Sequence, residues 1–402
     1  MTSKKSRAAA ANKSQPKRNS VAEPQLDGFL FPIAPDTPEP LSDSKHEGPL
    51  SAKSPEAEEL LLPARDEAKA LCNLATQIKA LAPWQWLEET DVFGVEDPDT
   101  GEIGFVSVMG NVGEYEAIGV YRGAKGLYDF IDFHNDPSAN ADRLMEIPQV
   151  QLSFSEPKFL EKRDRELLKG SGLKFPGTKP QFRSYRPGYL PWFITLKEAR
   201  LLIHALSQTL EMAKRFAEQP AIFPDDGDGE TESFLVRLVR KEDKEPRRLS
   251  SPSGRVWEDQ IRHITRPTLP PIEISIEAGL LKDLKGLHLS PMQLEADVFI
   301  GPAGIGSPRE RPLALYMLML ADRSSGLIVG FEALTAEDSL NSMNAGVAEK
   351  VARLLWQGQV LPKQIIVRSV FLLGLLEPLE KELKIELRCA NNCQPSTKPP
   401  VR

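Results

Sequence analysis

The sequence predicts an α/β protein with two folded domains behind a disordered N-terminal tail. Three observations carry this prediction. Apolar runs with the period of strands alternate with apolar runs with the period of helices. The 402 residues are enough for two domains and their tails. A proline-rich stretch at Thr265–Pro271 separates two such regions. The predicted organisation is a disordered tail over residues 1–60, an α+β domain over 61–245, a loop and Pro-rich linker over 246–271, an α/β domain over 272–390 and a disordered tail over 391–402.

The first 60 residues are rich in Ser, Pro, Lys, Ala and Glu and contain few large apolar side chains. Such a composition buries too little apolar surface to offset the entropy that is lost on ordering. The exception is the apolar run Gly28–Ile33. It is either a docking motif, for the body of the protein or for a partner, or an isolated apolar patch in the tail.

The first domain is predicted to combine a meander of strands with long helices. Asp97–Gly101 reads Asp-Pro-Asp-Thr-Gly between two apolar runs, a pattern typical of a hairpin turn. Thr195 and Glu198 have the spacing of a capping box, so a helix is expected to begin there. The other predicted elements are helices over 64–82, 123–134 and 156–169, and strands over 91–95, 103–109, 115–121, 149–154 and 234–240.

The second domain is predicted from a nearly continuous apolar run, Leu313–Ala321, which is typical of a strand buried on both faces. Asp322–Gly326 supplies turn residues, and Leu327–Phe331 is expected to pair with the first strand as a hairpin. A helix with Ser339 as its N-cap is expected to end at Gly358. A strand over 365–367, a helix over 377–384 and a strand over 385–387 complete the prediction.

The order of strand, aspartate, hairpin, helix and strand over residues 313–387 resembles the ribonuclease H-like fold of integrases and transposases. In that fold a first-strand Asp and a later-strand Asp hold divalent metal, because hard cations prefer several converging oxygen ligands. Asp322 follows the first strand, whereas the later strand continues into Arg368, whose positive charge repels a metal ion. The resemblance therefore implies a degenerate metal site at Asp322 and Arg368, with the two side chains paired. The alternative is that Asp322 caps the hairpin turn.

The chain also resembles a family of uncharacterised two-domain bacterial proteins. This second resemblance rests on the segments Leu127–Asp136, Pro180–Phe193 and Phe299–Pro302. It implies the order of the two domains and brings no activity with it.

The stretch Pro180–Phe193 interleaves aromatic residues with arginine. Such a surface can stack on the bases and contact the phosphates of single-stranded nucleic acid. A rigid packed loop uses the same residue types, with arginine stacked on the rings. The candidate binding residues are Arg183, Tyr185, Arg186, Tyr189 and Trp192.

Composition narrows the class of protein further. The formal net charge of -7 argues against a surface devoted as a whole to nucleic-acid binding. No run of eighteen apolar residues predicts a membrane span. The three cysteines are an odd number without the spacing of a disulfide framework, so we expect reduced thiols and a cytoplasmic location.

The sequence therefore predicts no catalytic residue, no metal and no cofactor. The predicted function is that of a non-catalytic binding or scaffold protein whose partner is a protein or single-stranded nucleic acid. The alternative is a metal-dependent nuclease that processes nucleic acid in a mobile-element or defence system.

Overall fold

The computed structural model describes residues 62–390 except 112, 114, 137–138, 140–141, 220–221, 224–230, 241–254 and 308–309. It confirms the predicted α/β class, because helices pack against two mixed sheets. Both predicted tails, including Gly28–Ile33, lie outside the described residues.

The described elements of the first part of the chain run from α1 to β7. In order they are α1 (Arg65–Leu81), β1 (Phe93–Glu96), β2 (Ile103–Met109), β3 (Ala117–Arg122), α2 (Gly123–Asn135), α3 (Asp142–Met145), β4 (Gln149–Ser155), α4 (Lys162–Ser171), β5 (Lys179–Tyr185), α5 (Leu196–Glu218), β6 (Thr231–Val239) and β7 (Trp257–Thr265).

The strands described in this part form one sheet in the order β5-β4-β3-β2-β1-β6-β7. Neighbouring strands are antiparallel except β1 and β6, which are parallel. Helices α1 and α5 pack on one face, where Leu71 and Leu202 are fully buried. Helix α2 covers the other face, where the rings of Tyr121 and Phe130 stack with their centroids 4.2 Å apart.

The predicted capping box opens α5. The Glu198 N–H donates to Thr195 Oγ1 at 3.2 Å, and the Thr195 N–H donates to Glu198 Oε2 at 2.8 Å. Two N–H groups that the helix itself cannot satisfy are thereby paired.

Strand β7 lies where the sequence predicts a loop and linker, so that prediction is wrong for residues 257–265. Every residue of β7 pairs with β6, from Thr231↔Thr265 to Val239↔Trp257. The run Trp-Glu-Asp-Gln-Ile-Arg-His-Ile-Thr has no clear apolar alternation, because β7 is an outermost strand and is largely exposed. Such a strand depends on the pairing groups that its neighbour offers rather than on a buried face of its own.

The second part of the chain contains helices α6 to α9 and strands β8 to β12. In order they are α6 (Ala278–Lys285), β8 (Leu289–Ile305), β9 (Leu313–Asp322), β10 (Ile328–Leu334), α7 (Leu340–Ala345), α8 (Val347–Gln357), β11 (Leu361–Val367), α9 (Val370–Leu383) and β12 (Glu386–Cys389).

The strands described here form a second sheet in the order β10-β9-β8-β11-β12. Strand β9 is antiparallel to β8 and β10, and β11 is parallel to β8 and β12. The sequence prediction starts this sheet at Leu313, one strand late, and misses β8. Pro291, Gly301 and Pro302 interrupt the apolar pattern of β8, and all three residues are uncommon inside a strand.

Two further predictions for this part need correction. Helix α9 begins at Val370, well before the predicted start at Glu377, because the Ser369 hydroxyl accepts hydrogen bonds from the N–H groups of Phe371 and Leu372. Cys389 is disulfide-bonded, whereas reduced thiols are expected from the sequence.

No helix in the described residues has the length and apolar character that crossing a membrane requires.

The two sheets meet where the loop after β5 contacts the start of β9. The Ala314 N–H donates to the Gly188 carbonyl at 2.9 Å, and the Leu190 N–H donates to the Pro312 carbonyl at 3.0 Å. Gly188 has φ +83°, and a Cβ atom there would lie 2.8 Å from the Cβ of Ala336. Only glycine allows this close approach of the two sheets.

Candidate functional site

The central strand β8 has two different faces. Leu294 and Ala296 are buried in the core with the helices of the second part. Because side chains alternate along a strand, Glu295, Asp297 and Phe299 project from the opposite face, on the side away from that core. This side of the sheet is the candidate site.

Asp297 and Arg368 come together at the end of the parallel pair β8/β11. Val367, the last residue of β11, pairs with Ala296 of β8. Arg368 follows Val367 directly and therefore stands level with Asp297. Asp297 therefore lies on the first strand of this sheet in chain order, with the Arg368 guanidinium as a charged neighbour on the next parallel strand.

The electrostatics of Asp297 reflect this neighbour. Burial raises the pKa of the Asp297 carboxyl, and the positive charge of Arg368 opposes that rise. Asp142 and Glu295 act in the same direction as burial, because nearby negative charges disfavour ionisation of a carboxyl. Asp142 comes from α3 in the first part of the chain, and its Oδ2 accepts the Ile300 N–H of β8 at 2.9 Å.

Asp322 and Arg368 do not form the ion pair expected from the sequence. Strand β8 separates β9 from β11, so the two residues are not on adjacent strands. Asp322 Oδ2 instead accepts hydrogen bonds from the hydroxyls of Ser324 and Ser325, both at 2.6 Å. These bonds lower the pKa of Asp322 to about 2. Asp322 therefore has the turn-capping role that the sequence offers as the alternative.

Apolar side chains adjoin Asp297 on the same face. Met319 of β9 pairs with Asp297 on one side and with Phe331 of β10 on the other, so the three lie in one row across the sheet. Phe331 is 62% exposed, and Ile328 near it is 52% exposed. We call this surface the open face and define it by Asp297, Phe299, Met317, Met319, Ile328, Phe331 and Arg368.

Arg183, the first candidate of the aromatic and arginine stretch, is buried. Its guanidinium donates to both carboxylate oxygens of Asp164, at 2.7 and 2.8 Å, and to Glu161 Oε1 at 3.0 Å. The ring of Phe193 lies 4.8 Å from its Cζ atom. The side chain is therefore committed to contacts inside the protein.

The other candidates of this stretch have different surroundings. The Tyr185 hydroxyl donates to Gln151 Oε1 at 2.7 Å, and the backbone of Tyr189 bridges to β9 at Leu313. Trp192 is half-buried and pairs with β5 through its backbone, whereas Arg186 is exposed. These contacts favour the interpretation as a rigid packed loop. Nucleic-acid binding by the stretch stays a hypothesis.

Sequence reasoning missed Asp297 because it missed β8. The run Gln293–Ile300 does alternate, with Leu, Ala, Val and Ile at every second position between Glu, Asp and Phe. That alternation is the signal that could have located a strand with one polar and one apolar face.

Two family models match the chain. Residues 69–237 match the domain of unknown function DUF7309, and residues 280–394 match the domain of unknown function DUF6930. No curated protein and no solved structure matches the chain significantly. The chain thus carries two domains of unknown function in tandem. This arrangement fits the uncharacterised two-domain family expected from the sequence. The bacterial origin of the protein stays a prediction.

Proposed function

We propose that the protein is a non-catalytic binding or scaffold protein whose second domain has a ribonuclease H-like arrangement without a working metal site. The observation that carries this proposal is the position of Arg368 beside Asp297. A two-metal site needs carboxylates at both positions, since each ion requires several oxygen ligands and neutralisation of its charge. A fixed positive charge at the later-strand position opposes the binding of a divalent cation.

The support for the arrangement itself is the order of elements around β8. A first strand is followed by the hairpin β9/β10, by helices α7 and α8, and by β11, which returns parallel to β8. The resemblance to the ribonuclease H-like fold rests on the same order of elements. In the structure this order begins at β8, one strand before β9, where the sequence prediction begins it. We further propose that the linker between the two domains is the segment between β7 and α6, residues 266–277.

The open face is the surface that we assign to the partner. It combines exposed apolar side chains, Phe331 and Ile328, with a strip of mixed charge at Asp297 and Arg368. Exposed apolar side chains rimmed by polar residues are typical of protein–protein contacts. A protein partner therefore fits this surface better than single-stranded nucleic acid, which requires a basic groove. The cytoplasmic location stays a prediction. The disulfide at Cys389 argues against it, because disulfides are more common outside the reducing cytosol.

Metal binding distinguishes this proposal from the nuclease alternative. Melting is measured with and without millimolar Mn²⁺ or Mg²⁺, because a metal that binds only the folded state raises the melting temperature. We expect no shift and no cleavage of DNA or RNA. A Mn²⁺-dependent shift that is lost in Asp297→Asn and kept in the control Asp322→Asn would refute the proposal that the metal site does not work and would favour the nuclease alternative.

Partner binding is tested by purification from native cells, with nuclease treatment to remove bridging nucleic acid. We expect a protein that co-purifies with the wild type and is lost with Phe331→Asp. Phe159→Asp is the matched control, because Phe159 is 42% exposed and lies in the first part of the chain. Equal recovery with both variants would refute the assignment of the open face.

A further inference from the structure

An apolar groove lies beside the N-terminal end of α1. Its floor includes Ala68 of α1, Leu167 of α4 and Phe182 of β5, and its volume is about 370 Å³. A cavity of roughly 150 Å³ accommodates one benzene ring, so this groove has room for about two. The groove is thus large enough to hold more than one apolar side chain of a peptide.

The rim of the groove is charged and includes Arg65, Arg163, Asp164 and Glu166. The Asp164 carboxylate is already bonded to Arg183, so Glu166 is the one remaining acid of this lining beside the two rim arginines. Arg65 at the start of α1 is exposed. Arg163 of α4 lies over the rings of Trp192 and Phe193, with its Cζ atom 5.5 and 5.1 Å from their centroids. An apolar segment flanked by acidic residues matches such a groove in both shape and charge.

We infer that the occupant of this groove is the segment Gly28–Ile33 of the same chain. Phe29, Phe31 and Ile33 alternate, so an extended chain presents all three on one side. Asp27 precedes the segment. Asp36 follows it, which places an acidic residue near each end for the two rim arginines.

The position of the groove along the chain supports an intramolecular contact. Leu62 and Pro63, the first described residues, themselves line the groove. About 28 residues separate Ile33 from Leu62, and a chain of that length spans at most roughly 95 Å. The tether therefore reaches the groove easily, and it holds the segment there at an effective concentration on the order of millimolar.

Hydrogen–deuterium exchange of the full-length protein tests this contact. We expect the amides of Phe29–Ile33 to exchange about tenfold more slowly than those of residues 41–51 of the same tail, which corresponds to an occupancy of about 90%. The variant Phe29→Asp/Phe31→Asp is expected to lose this protection. Exchange of Phe29–Ile33 in the wild type as fast as that of residues 41–51 would overturn the inference.

Variants of the groove identify where the segment binds. Ala68→Phe fills the groove and is expected to abolish the protection. Arg65 is exposed, so Arg65→Glu is expected to leave the fold intact and to weaken the protection several-fold. The matched control is Lys69→Glu, because Lys69 is exposed on the same helix and lies outside the groove. We expect Lys69→Glu to leave the protection unchanged. Protection that survives Ala68→Phe and Arg65→Glu would place the segment elsewhere and overturn the inference. Protection that increases with protein concentration would assign the groove to the tail of a second copy, which would overturn it as well.

Discussion

The strongest expectation for stability concerns Arg183→Met. Methionine keeps an apolar stem of similar length but removes the guanidinium, and with it both hydrogen bonds to Asp164 and the bond to Glu161. Asp164 is 7% exposed, so its carboxylate is left buried without its cation. The loss of one partner of a buried pair costs about 3–5 kcal/mol, and we expect Arg183→Met to fall in that range.

Asp164 also has a second role that fixes the expected cost of a double variant. Its Oδ2 accepts the Glu161 N–H at 3.0 Å and so caps α4. Arg183→Met/Asp164→Leu removes both charges; it loses that cap, which is worth about 1 kcal/mol, and the hydrogen bond from Gln181 Nε2 to Asp164 Oδ2 at 3.3 Å. The double variant is therefore expected to be more stable than Arg183→Met alone.

The assay is urea unfolding followed by tryptophan fluorescence, which reports mainly on the first domain because Trp84, Trp86, Trp192 and Trp257 all lie there. Arg186→Ala is the matched control, since Arg186 belongs to the same stretch and is exposed. We expect it to change the free energy of unfolding by less than about 0.5 kcal/mol. A cost below about 1 kcal/mol for Arg183→Met, or an equal cost for both variants, would refute the reasoning.

Three further expectations follow from the described contacts. Burial raises the pKa of Glu146 from about 4.5 to about 7, so the folded state holds this proton more tightly. Relative to Glu146→Gln, the wild type should therefore lose roughly 3 kcal/mol of stability as the pH rises from about 4.5 to 7. The lowered pKa of Asp322 has the opposite sign: its stabilisation is complete above about pH 4 and is lost toward pH 2, so the melting temperatures of Asp322→Asn and the wild type should converge over that range. Arg311 donates to the carbonyl and the hydroxyl of Ser184 at 2.9 and 2.7 Å across the two sheets, so Arg311→Met should cost about 1–3 kcal/mol by calorimetry.

Several features of the fold could be predicted because their signals are local. The hairpin turn at Asp97–Gly101 depends on side chains a few residues apart: Asp97 accepts the Asp99 N–H at 3.0 Å and the Thr100 hydroxyl at 2.8 Å. The capping box of Thr195 and Glu198 is of the same kind. Neither interaction needs a distant part of the chain, so residue type and spacing are sufficient.

Strand β7 could not be predicted because its stability comes from elsewhere. Its residues are charged and polar, and it is a strand because the edge of β6 offers nine consecutive pairing positions. The aromatic and arginine stretch presented the same difficulty. Its residue types suit a binding surface and a packed loop equally, and contacts that favour the packed loop, such as the burial of Arg183 against Asp164, appear only in the tertiary structure.

The sequence by itself determined the α/β class and most of the helices and strands. Only the tertiary structure decided which acidic residue Arg368 accompanies. Asp297 and Arg368 are far apart in sequence, and the parallel pairing of β8 with β11 brings them level. Asp322 immediately follows the longest apolar run and stood out for that reason, yet β8 lies between its strand and β11. The order of strands in a sheet depends on long-range packing, which no local pattern of residues specifies.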